Sequence, residues 1–180
     1  MTNVAEMTAF FSMFLMDVKI AKKNLSFRCP IFNDPLFMSD TTEYRFPSAL
    51  NVLIAEDNEM NKLLLTSVLR NWGLDFKIAD NGVEVVDLMQ KHDFDLILMD
   101  IQMPEKNGIE ATVDIRNFLD ERKKNIPIIA LTANAIKGEE KIYFDVGMNG
   151  FLTKPFKEKD LFEKVNEVVK AHALKFTDKK

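Results

Sequence analysis

The sequence has few of the residues on which several common kinds of site depend. Its 180 residues include one cysteine, Cys29, and two histidines, His92 and His172, that lie far apart in the chain. A lone cysteine excludes an internal disulfide and a cysteine metal cluster. The separation of the two histidines argues against a histidine-based catalytic triad, and their helix-like surroundings favour solvated helix faces for both.

Strong charge of one sign and long apolar runs are also lacking. The formal net charge of -4 is mild and gives no sign of a nucleic-acid-binding surface. No apolar run reaches the roughly 18 residues that a membrane span needs. The nearest run, residues 7–16, is interrupted by Thr8 and Ser12. Glu6 precedes it, and no Lys or Arg does, which argues against a signal peptide because a basic segment precedes the apolar core of a signal peptide. We therefore expect a cytoplasmic protein with no nucleic-acid and no membrane partner.

What remains is the composition of an ordinary globular protein, with 47% hydrophobic and 29% charged residues. The length suits one domain with an appendage, here a domain over 48–175 preceded by an extension over 1–47. Helical spacing of aromatic and aliphatic residues predicts an amphipathic helix over 3–23, followed by a proline-containing, polar linker. The extension carries no catalytic motif. It is an interaction surface, a segment packed on the main domain, or the remainder of a longer architecture.

From Leu50 onward, short apolar runs alternate five times with segments of helical spacing. The predicted strands are 51–55, 76–79, 96–99, 127–131 and 151–153. The predicted helices are 60–72, 83–91, 108–121, 136–146 and 159–174. Such alternation with short connections predicts an α/β fold with a doubly wound, five-stranded parallel sheet of order 2-1-3-4-5 (flavodoxin-like), carrying an N-terminal helical extension.

Polar side chains follow four of these strands. Asp100 follows an apolar run without alternation, which is typical of a strand buried on both faces of a parallel sheet. Glu56 and Asp57 follow the first strand, Thr132 the fourth and Lys154 the fifth. Each alone has an ordinary explanation as a turn residue, a helix cap or a solvated lysine. Because ligands bind beyond the carboxyl ends of strands in open α/β sheets, their joint occurrence favours a functional site.

The residue types at these strand ends indicate phosphoryl chemistry. Three carboxylates held close together repel one another unless a cation joins them, and a few oxygen ligands suit Mg²⁺. Asp100 is then placed to attack a phosphoryl group and form an acyl phosphate. Lys154 supplies a positive charge for a phosphoryl oxygen, and Thr132 supplies a hydroxyl donor.

Four motifs make the chain recognisable: VLIAEDN over 52–58, LMDIQMP over 98–104, ALTA over 130–133 and LTKPF over 152–156. Together they resemble the receiver domain of two-component response regulators, over about residues 50–174, and most of all the receivers attached to hybrid histidine kinases. Their order and spacing agree with that family as well as their letters. Because six residues remain after residue 174, we expect no DNA-binding or enzymatic output domain there.

The resemblance implies that Asp100 is the phosphoacceptor and the modified residue. It implies Mg²⁺ as the cofactor, with Asp57 and Asp100 as direct ligands, Glu56 acting through water, and the backbone carbonyl of Gln102 as a further ligand. Two positions depart from the usual pattern. Glu56 stands where Asp is commoner, and Asn107 stands where Asp usually precedes the glycine. Neither change removes a required group.

The resemblance further implies that Thr132 and Lys154 bind the phosphoryl group. Phe151 matches the aromatic residue that turns inward when the Thr132 hydroxyl moves to the phosphate. This coupled movement would repack the surface formed by the fourth helix, the fifth strand and the fifth helix. A homodimer through that surface, or through the N-terminal helix, is left open.

The implied function is that of a receiver in a two-component phosphorelay. A sensor histidine kinase or a histidine phosphotransfer protein would donate the phosphoryl group, and a downstream protein partner would read the switched surface. The expected activity is Mg²⁺-dependent self-phosphorylation and autodephosphorylation, without turnover catalysis. One alternative is a pseudo-receiver that never carries phosphate and serves as a scaffold. Another is a flavin-type binder, which would want a Ser/Thr/Gly-rich phosphate loop after the first strand, where this chain is acidic.

Overall fold

The computed structural model describes residues 44, 46, 49–133 and 140–177, with side chains described as far as residue 174. These residues belong to one compact unit, Glu43–Lys180. The helix predicted over 3–23 lies outside the described residues. The domain boundary predicted at residue 48 stays a prediction.

The five predicted strands form one parallel sheet. They are β1 (Asn51–Ala55), β2 (Asp75–Ala79), β3 (Leu96–Asp100), β4 (Ile128–Thr132) and β5 (Gly150–Thr153). Their order across the sheet is β2-β1-β3-β4-β5, so the predicted topology is confirmed. Asp100 pairs with Leu131 and Thr132 with Thr153, which aligns the carboxyl ends of β3, β4 and β5 along one edge.

Helices connect the strands and cover the sheet. They are α1 (Glu59–Asn71), α2 (Gly82–Lys91), α3 (Gly108–Arg116), a one-turn helix (Glu121–Lys124), α4 (Glu140–Asp145) and α5 (Glu158–Thr177). Asn58, Asn81 and Asn107 cap the first three, each accepting hydrogen bonds from backbone N–H groups of the first turn. Among the described residues, no helix combines the length and the apolar character that crossing a membrane requires.

Some boundaries differ from those expected. The helix predicted over 108–121 ends at Arg116, and a separate turn begins after Asp120, whose side chain accepts from the N–H groups of Arg122 and Lys123. A capping aspartate there offers the backbone a new helix start. Pro127 precedes β4 rather than opening it. Residues 134–139, the start of the helix predicted over 136–146, lie outside the described residues.

The core lies on both sides of the central strands. Every residue of β3 and β4 is buried, as the unbroken apolar runs predict. One cluster joins these strands to Met89 of α2, Ile115 of α3 and Tyr143 of α4. Leu69 of α1 and Val165 of α5 are buried outside this cluster, as expected for helices on the opposite face of a doubly wound sheet.

Four aromatic side chains cluster at the end of α1. Tyr44 and Phe46, which precede β1, both contact Trp72 and Phe162, with ring centroids 4.8–6.4 Å apart. The Trp72 indole N–H donates a hydrogen bond of 2.9 Å to Glu158 Oε1 at the start of α5. The chain leading into β1 is therefore held against α1 and α5 by tilted aromatic contacts.

Candidate functional site

The carboxyl ends of the strands deliver most of the predicted site residues to one edge of the sheet. Asp100 is the last residue of β3 and is 7% exposed, and Thr132 is the last residue of β4 and is 5% exposed. Glu56 directly follows β1 and is wholly buried, whereas its neighbour Asp57 is exposed. Lys154 directly follows β5. The charged side chains of Glu56, Asp100 and Lys154 therefore share this edge with little access to water.

Lys154 lies between two of the carboxylates. Its Nζ is 2.5 Å from Glu56 Oε2 and 2.6 Å from Asp100 Oδ2. The contacts span 98 and 54 residues of sequence, so the fold and not local structure creates them. Because the three side chains are largely buried, water and salt screen these charges less than they screen surface pairs.

The three carboxylates form a compact cluster. Glu56, Asp57 and Asp100 each offer an oxygen, and these oxygens lie within 4.8 Å of one another. Lys154 offsets one of the three negative charges, so two remain in excess. An all-oxygen donor set with exposed Asp57 on its open side matches the preferences of Mg²⁺, which binds through one or two carboxylates and keeps several waters. The residues present fit a divalent cation.

Glu56 is held by donors on both oxygens. Oε1 accepts from the side-chain amide of Asn61 at 2.9 Å and from the backbone N–H of Asn58 at 3.2 Å. Oε2 accepts from Lys154. Burial raises the pKa of Glu56 above its usual value of 4.5, and the hydrogen bonds from Lys154 and Asn61 oppose that rise. The carboxylate orientation is therefore fixed by three donors from two parts of the chain, the start of α1 and the end of β5.

The loop between β3 and α3 wraps closely around Asp100. The backbone N–H of Gln102 donates to Asp100 Oδ1 at 3.1 Å. Gly108 begins α3 directly against β3, and a Cβ at this position would collide with the backbone oxygen of Asp100 and lie 2.9 Å from the Met99 side chain. Glu105 adopts a left-handed conformation with φ of 61°. Gln102 thus lies in a tightly constrained turn beside the cluster.

Thr132 and Phe151 share a second contact region behind the cluster. Tyr143 donates its hydroxyl to Thr132 Oγ1 over 3.3 Å. The half-buried ring of Phe151 lies 6.2 Å, centroid to centroid, from both Tyr143 and Phe144 of α4. Tyr143 therefore lies next to both the Thr132 hydroxyl and the Phe151 ring.

The structure brings the carboxylates of Glu56, Asp57 and Asp100 together and sets Lys154 against two of them. Gln102 contacts Asp100 through its backbone N–H, and Thr132 ends the strand next to that of Asp100. The described contacts of the Phe151 ring are with Tyr143 and Phe144 of α4. Sequence reasoning did not identify three other contributors: Asn61, Tyr143 and Gly108. Asn61 and Tyr143 lie in segments correctly predicted as helical, where periodicity marks them as ordinary helix residues. Gly108 was predicted to start a helix, but its close approach to Asp100 leaves no signal in the sequence.

Comparison with known protein families identifies what this arrangement is similar to. A family model described as "Response regulator receiver domain" matches residues 52–166. A hybrid signal transduction histidine kinase I from Dictyostelium discoideum is 41% identical over 120 residues, covering 64% of this chain and 7% of that protein. Sensor protein GacS from Pseudomonas syringae pv. syringae is 39% identical over 118 residues, covering 65% of this chain and 13% of that protein. The chain thus spans a small part of these relatives.

Solved structures show the same similarity. The receiver domain of sensor histidine kinase PA1611 from Pseudomonas aeruginosa PAO1, solved with a magnesium ion coordinated in the active site cleft, is 34% identical with a TM-score of 0.62. The comparison covers 68% of this chain and 98% of that one. The co-crystal structure of the Saccharomyces cerevisiae phosphotransfer protein Ypd1 with the receiver domain of Ssk1 is also similar to this chain, at 36% identity and a TM-score of 0.61. That match covers 67% of this chain and 88% of the other.

Proposed function

This chain belongs to the response regulator receiver domain family, and from that premise we propose that it is the phosphoacceptor of a two-component phosphorelay. The observation that carries the proposal is the cluster itself. Asp100 ends the central strand with one oxygen on Lys154, and its carboxylate oxygens lie near those of Glu56 and Asp57. In this proposal Asp100 is the nucleophile, Lys154 is the cation for the phosphoryl oxygens, and the carboxylates are the acidic metal ligands at the same edge of the sheet.

In the proposed transfer, a carboxylate oxygen of Asp100 attacks the phosphorus of a phosphohistidine. The new P–O bond forms as the P–N bond breaks, and the departing imidazole takes a proton from solvent. The product is an acyl phosphate on Asp100. The tight turn at Gln102 and Gly108 supports this step because it fixes Asp100 at the open end of β3.

We propose that Asp57, Asp100 and the Gln102 carbonyl hold Mg²⁺ directly and that Glu56 acts through water. The support is the all-oxygen donor set and its two excess negative charges. When bound, Mg²⁺ would polarise the phosphoryl group and reduce its repulsion from Asp100. Glu56 suits an outer position because it is wholly buried and three donors already hold its oxygens, whereas Asp57 is exposed.

Lys154 and Thr132 are proposed to bind the transferred group. Lys154 already contacts Asp100, so a phosphoryl oxygen on Asp100 would lie within its reach. The Thr132 hydroxyl would donate to another phosphoryl oxygen, which would change its contact with Tyr143. Phe151, packed near Tyr143 and Phe144, would then turn inward and repack the surface of α4, β5 and α5.

The phosphoryl donor in this proposal is a sensor histidine kinase or a histidine phosphotransfer protein, and the switched surface serves a downstream protein partner. The support is that relatives are hybrid histidine kinases and that a similar receiver was crystallised with a phosphotransfer protein. A cytoplasmic location and a homodimer, through the switched surface or the N-terminal helix, remain parts of the proposal. Autodephosphorylation would return the domain to its starting state.

Phosphotransfer from a histidine-phosphorylated donor protein tests the proposal. We expect the wild-type chain to accept the radiolabelled phosphoryl group in the presence of Mg²⁺, and EDTA to stop the transfer. Asp100→Asn should accept none, although it keeps the shape of the side chain. Asp57→Asn serves as the metal-site control and should transfer slowly at low Mg²⁺. Labelling of Asp100→Asn at the wild-type rate would overturn the proposal.

A further inference from the structure

We propose that Asn61 is a positioning residue whose side-chain amide orients Glu56 and thereby sets the affinity of the acidic cluster for Mg²⁺. The inference rests on the proposed function, because it concerns the metal site proposed above. Asn61 does not belong to the implied ligand set. It acts through Glu56 alone, by occupying one of that residue's two oxygens.

The start of α1 is built so that Asn61 faces Glu56. Asn58 caps the helix, and its Oδ1 accepts from the N–H groups of Met60 at 3.0 Å and Asn61 at 3.2 Å. The backbone N–H of Asn58 itself donates to Glu56 Oε1. This cap fixes the first turn beside the end of β1 and aims the Asn61 amide at the same Oε1.

Glu56 needs such a constraint because its side chain has one more rotatable bond than an aspartate. It is wholly buried, so water cannot fix its orientation. Oε2 is bound by Lys154, and Oε1 has two donors, of which the amide of Asn61 is the closer at 2.9 Å. Without that amide, Oε1 keeps one hydrogen bond of 3.2 Å, and the orientation of the carboxylate beside the other acidic residues is held less firmly.

This role makes a prediction that a purely structural role does not. If Asn61 only stabilised α1, its loss would lower the stability of the fold and leave Mg²⁺ affinity unchanged. As a positioning residue, it should change Mg²⁺ affinity even where the fold is intact. Hydrogen-bonding partners of metal-site residues commonly affect metal affinity by about 10- to 100-fold. We expect the low end, about tenfold, because one donor to Oε1 remains.

Isothermal titration of the full chain with Mg²⁺ alone measures this effect. The variants are Asn61→Ala and Asn61→Ser, of which the second keeps a small polar side chain in case the first folds poorly. Asn71→Ala is the matched control, since it makes the same change at the exposed far end of α1. We expect weaker Mg²⁺ binding for both Asn61 variants and wild-type affinity for the control, with urea unfolding in EDTA reporting stability separately.

A double-mutant cycle identifies the route of the effect. In a Glu56→Gln background, replacing Asn61 by Ala should no longer weaken Mg²⁺ binding, because the carboxylate that it orients is gone. Wild-type affinity in both Asn61 variants, or an equal loss in the two backgrounds, overturns the inference while the proposed function stands. Failure of the wild-type chain to bind Mg²⁺ overturns the metal part of the proposed function, and this inference with it.

Discussion

Replacing Lys154 by Met tests how far the charges of the acidic cluster depend on one ammonium group. The substitution keeps an unbranched side chain of similar length and removes only the charge and its hydrogen bonds. Glu56 and Asp100 would then face each other without a cation, with side-chain exposures of 0% and 10%. Both lie in a region that water screens poorly, so the repulsion between these two carboxylates would be only weakly screened.

The size of the effect follows from the burial of the pair. Breaking a buried ion pair by removing one partner costs about 3 to 5 kcal/mol. Lys154 is 17% exposed and water can partly replace it, so we expect about 3 kcal/mol, or roughly 10 °C in Tm for a domain of this size. Millimolar Mg²⁺ should restore more stability to the variant than to wild type, because the metal replaces the lost charge.

Urea unfolding in EDTA, repeated with Mg²⁺, measures both effects. Lys164→Met is the matched control. The Nζ of Lys164 lies 2.6 Å from Glu167, the same separation as in the Lys154–Asp100 pair. The side chains of Lys164 and Glu167, however, are 29% and 66% exposed. Exposed pairs contribute about 0 to 1 kcal/mol, so the control should lose little. Equal losses in the two variants, or an equal response to Mg²⁺ in Lys154→Met and wild type, would refute the reasoning.

Three further predictions concern the scaffold. Gly108→Ala should cost about 2 kcal/mol or more in urea unfolding, because the new Cβ meets the backbone oxygen of Asp100, which cannot move freely. Arg116, whose pKa burial lowers to about 10, donates to four oxygen atoms of the surrounding loops. Arg116→Lys should cost about 2 kcal/mol by the same assay, because an ammonium cannot reproduce the planar fork. Burial raises the pKa of Glu158 above 4.5 against the opposing hydrogen bond from Trp72, so the contribution of Glu158 to wild-type stability should fall as pH rises from 4.5 through that raised pKa. Glu158→Gln should lack this fall, and urea unfolding at about pH 4 and about pH 7 should show the variant gaining relative stability at the higher pH.

The sheet and the strand-end residues could be predicted because they depend on local patterns and general rules. Unbroken apolar runs marked β3 and β4 as buried strands, and alternation with helices led to the order of the sheet. The parallel arrangement then placed Asp100, Thr132 and Lys154 at one edge without knowledge of any contact. The break after Arg116 was missed because an aspartate cap four residues later competes with a helical pattern that continues past it.

The supporting contacts could not be predicted from the sequence. The Asn61 amide reaches Glu56 only because the cap at Asn58 fixes the first turn of α1, and that depends on side-chain rotamers. Tyr143 meets Thr132 across the gap between α4 and β4. Arg116 binds backbone oxygens as far away as Gly147, which lies 31 residues on. Such contacts depend on packing at the scale of an ångström, whereas periodicity gives only the face on which a residue lies.

The central claim is that Asp100 carries the phosphoryl group, and intact mass measurement tests it most directly. The full chain and Asp100→Asn are incubated with Mg²⁺ and acetyl phosphate, and their intact masses are measured by mass spectrometry. The masses are measured again after treatment with neutral hydroxylamine, which cleaves acyl phosphates. We predict the gain of one phosphoryl group on wild type alone, its absence in EDTA, and its loss with hydroxylamine. An equal gain on Asp100→Asn, or a gain on wild type that survives hydroxylamine, would contradict the assignment of Asp100 as the phosphoacceptor.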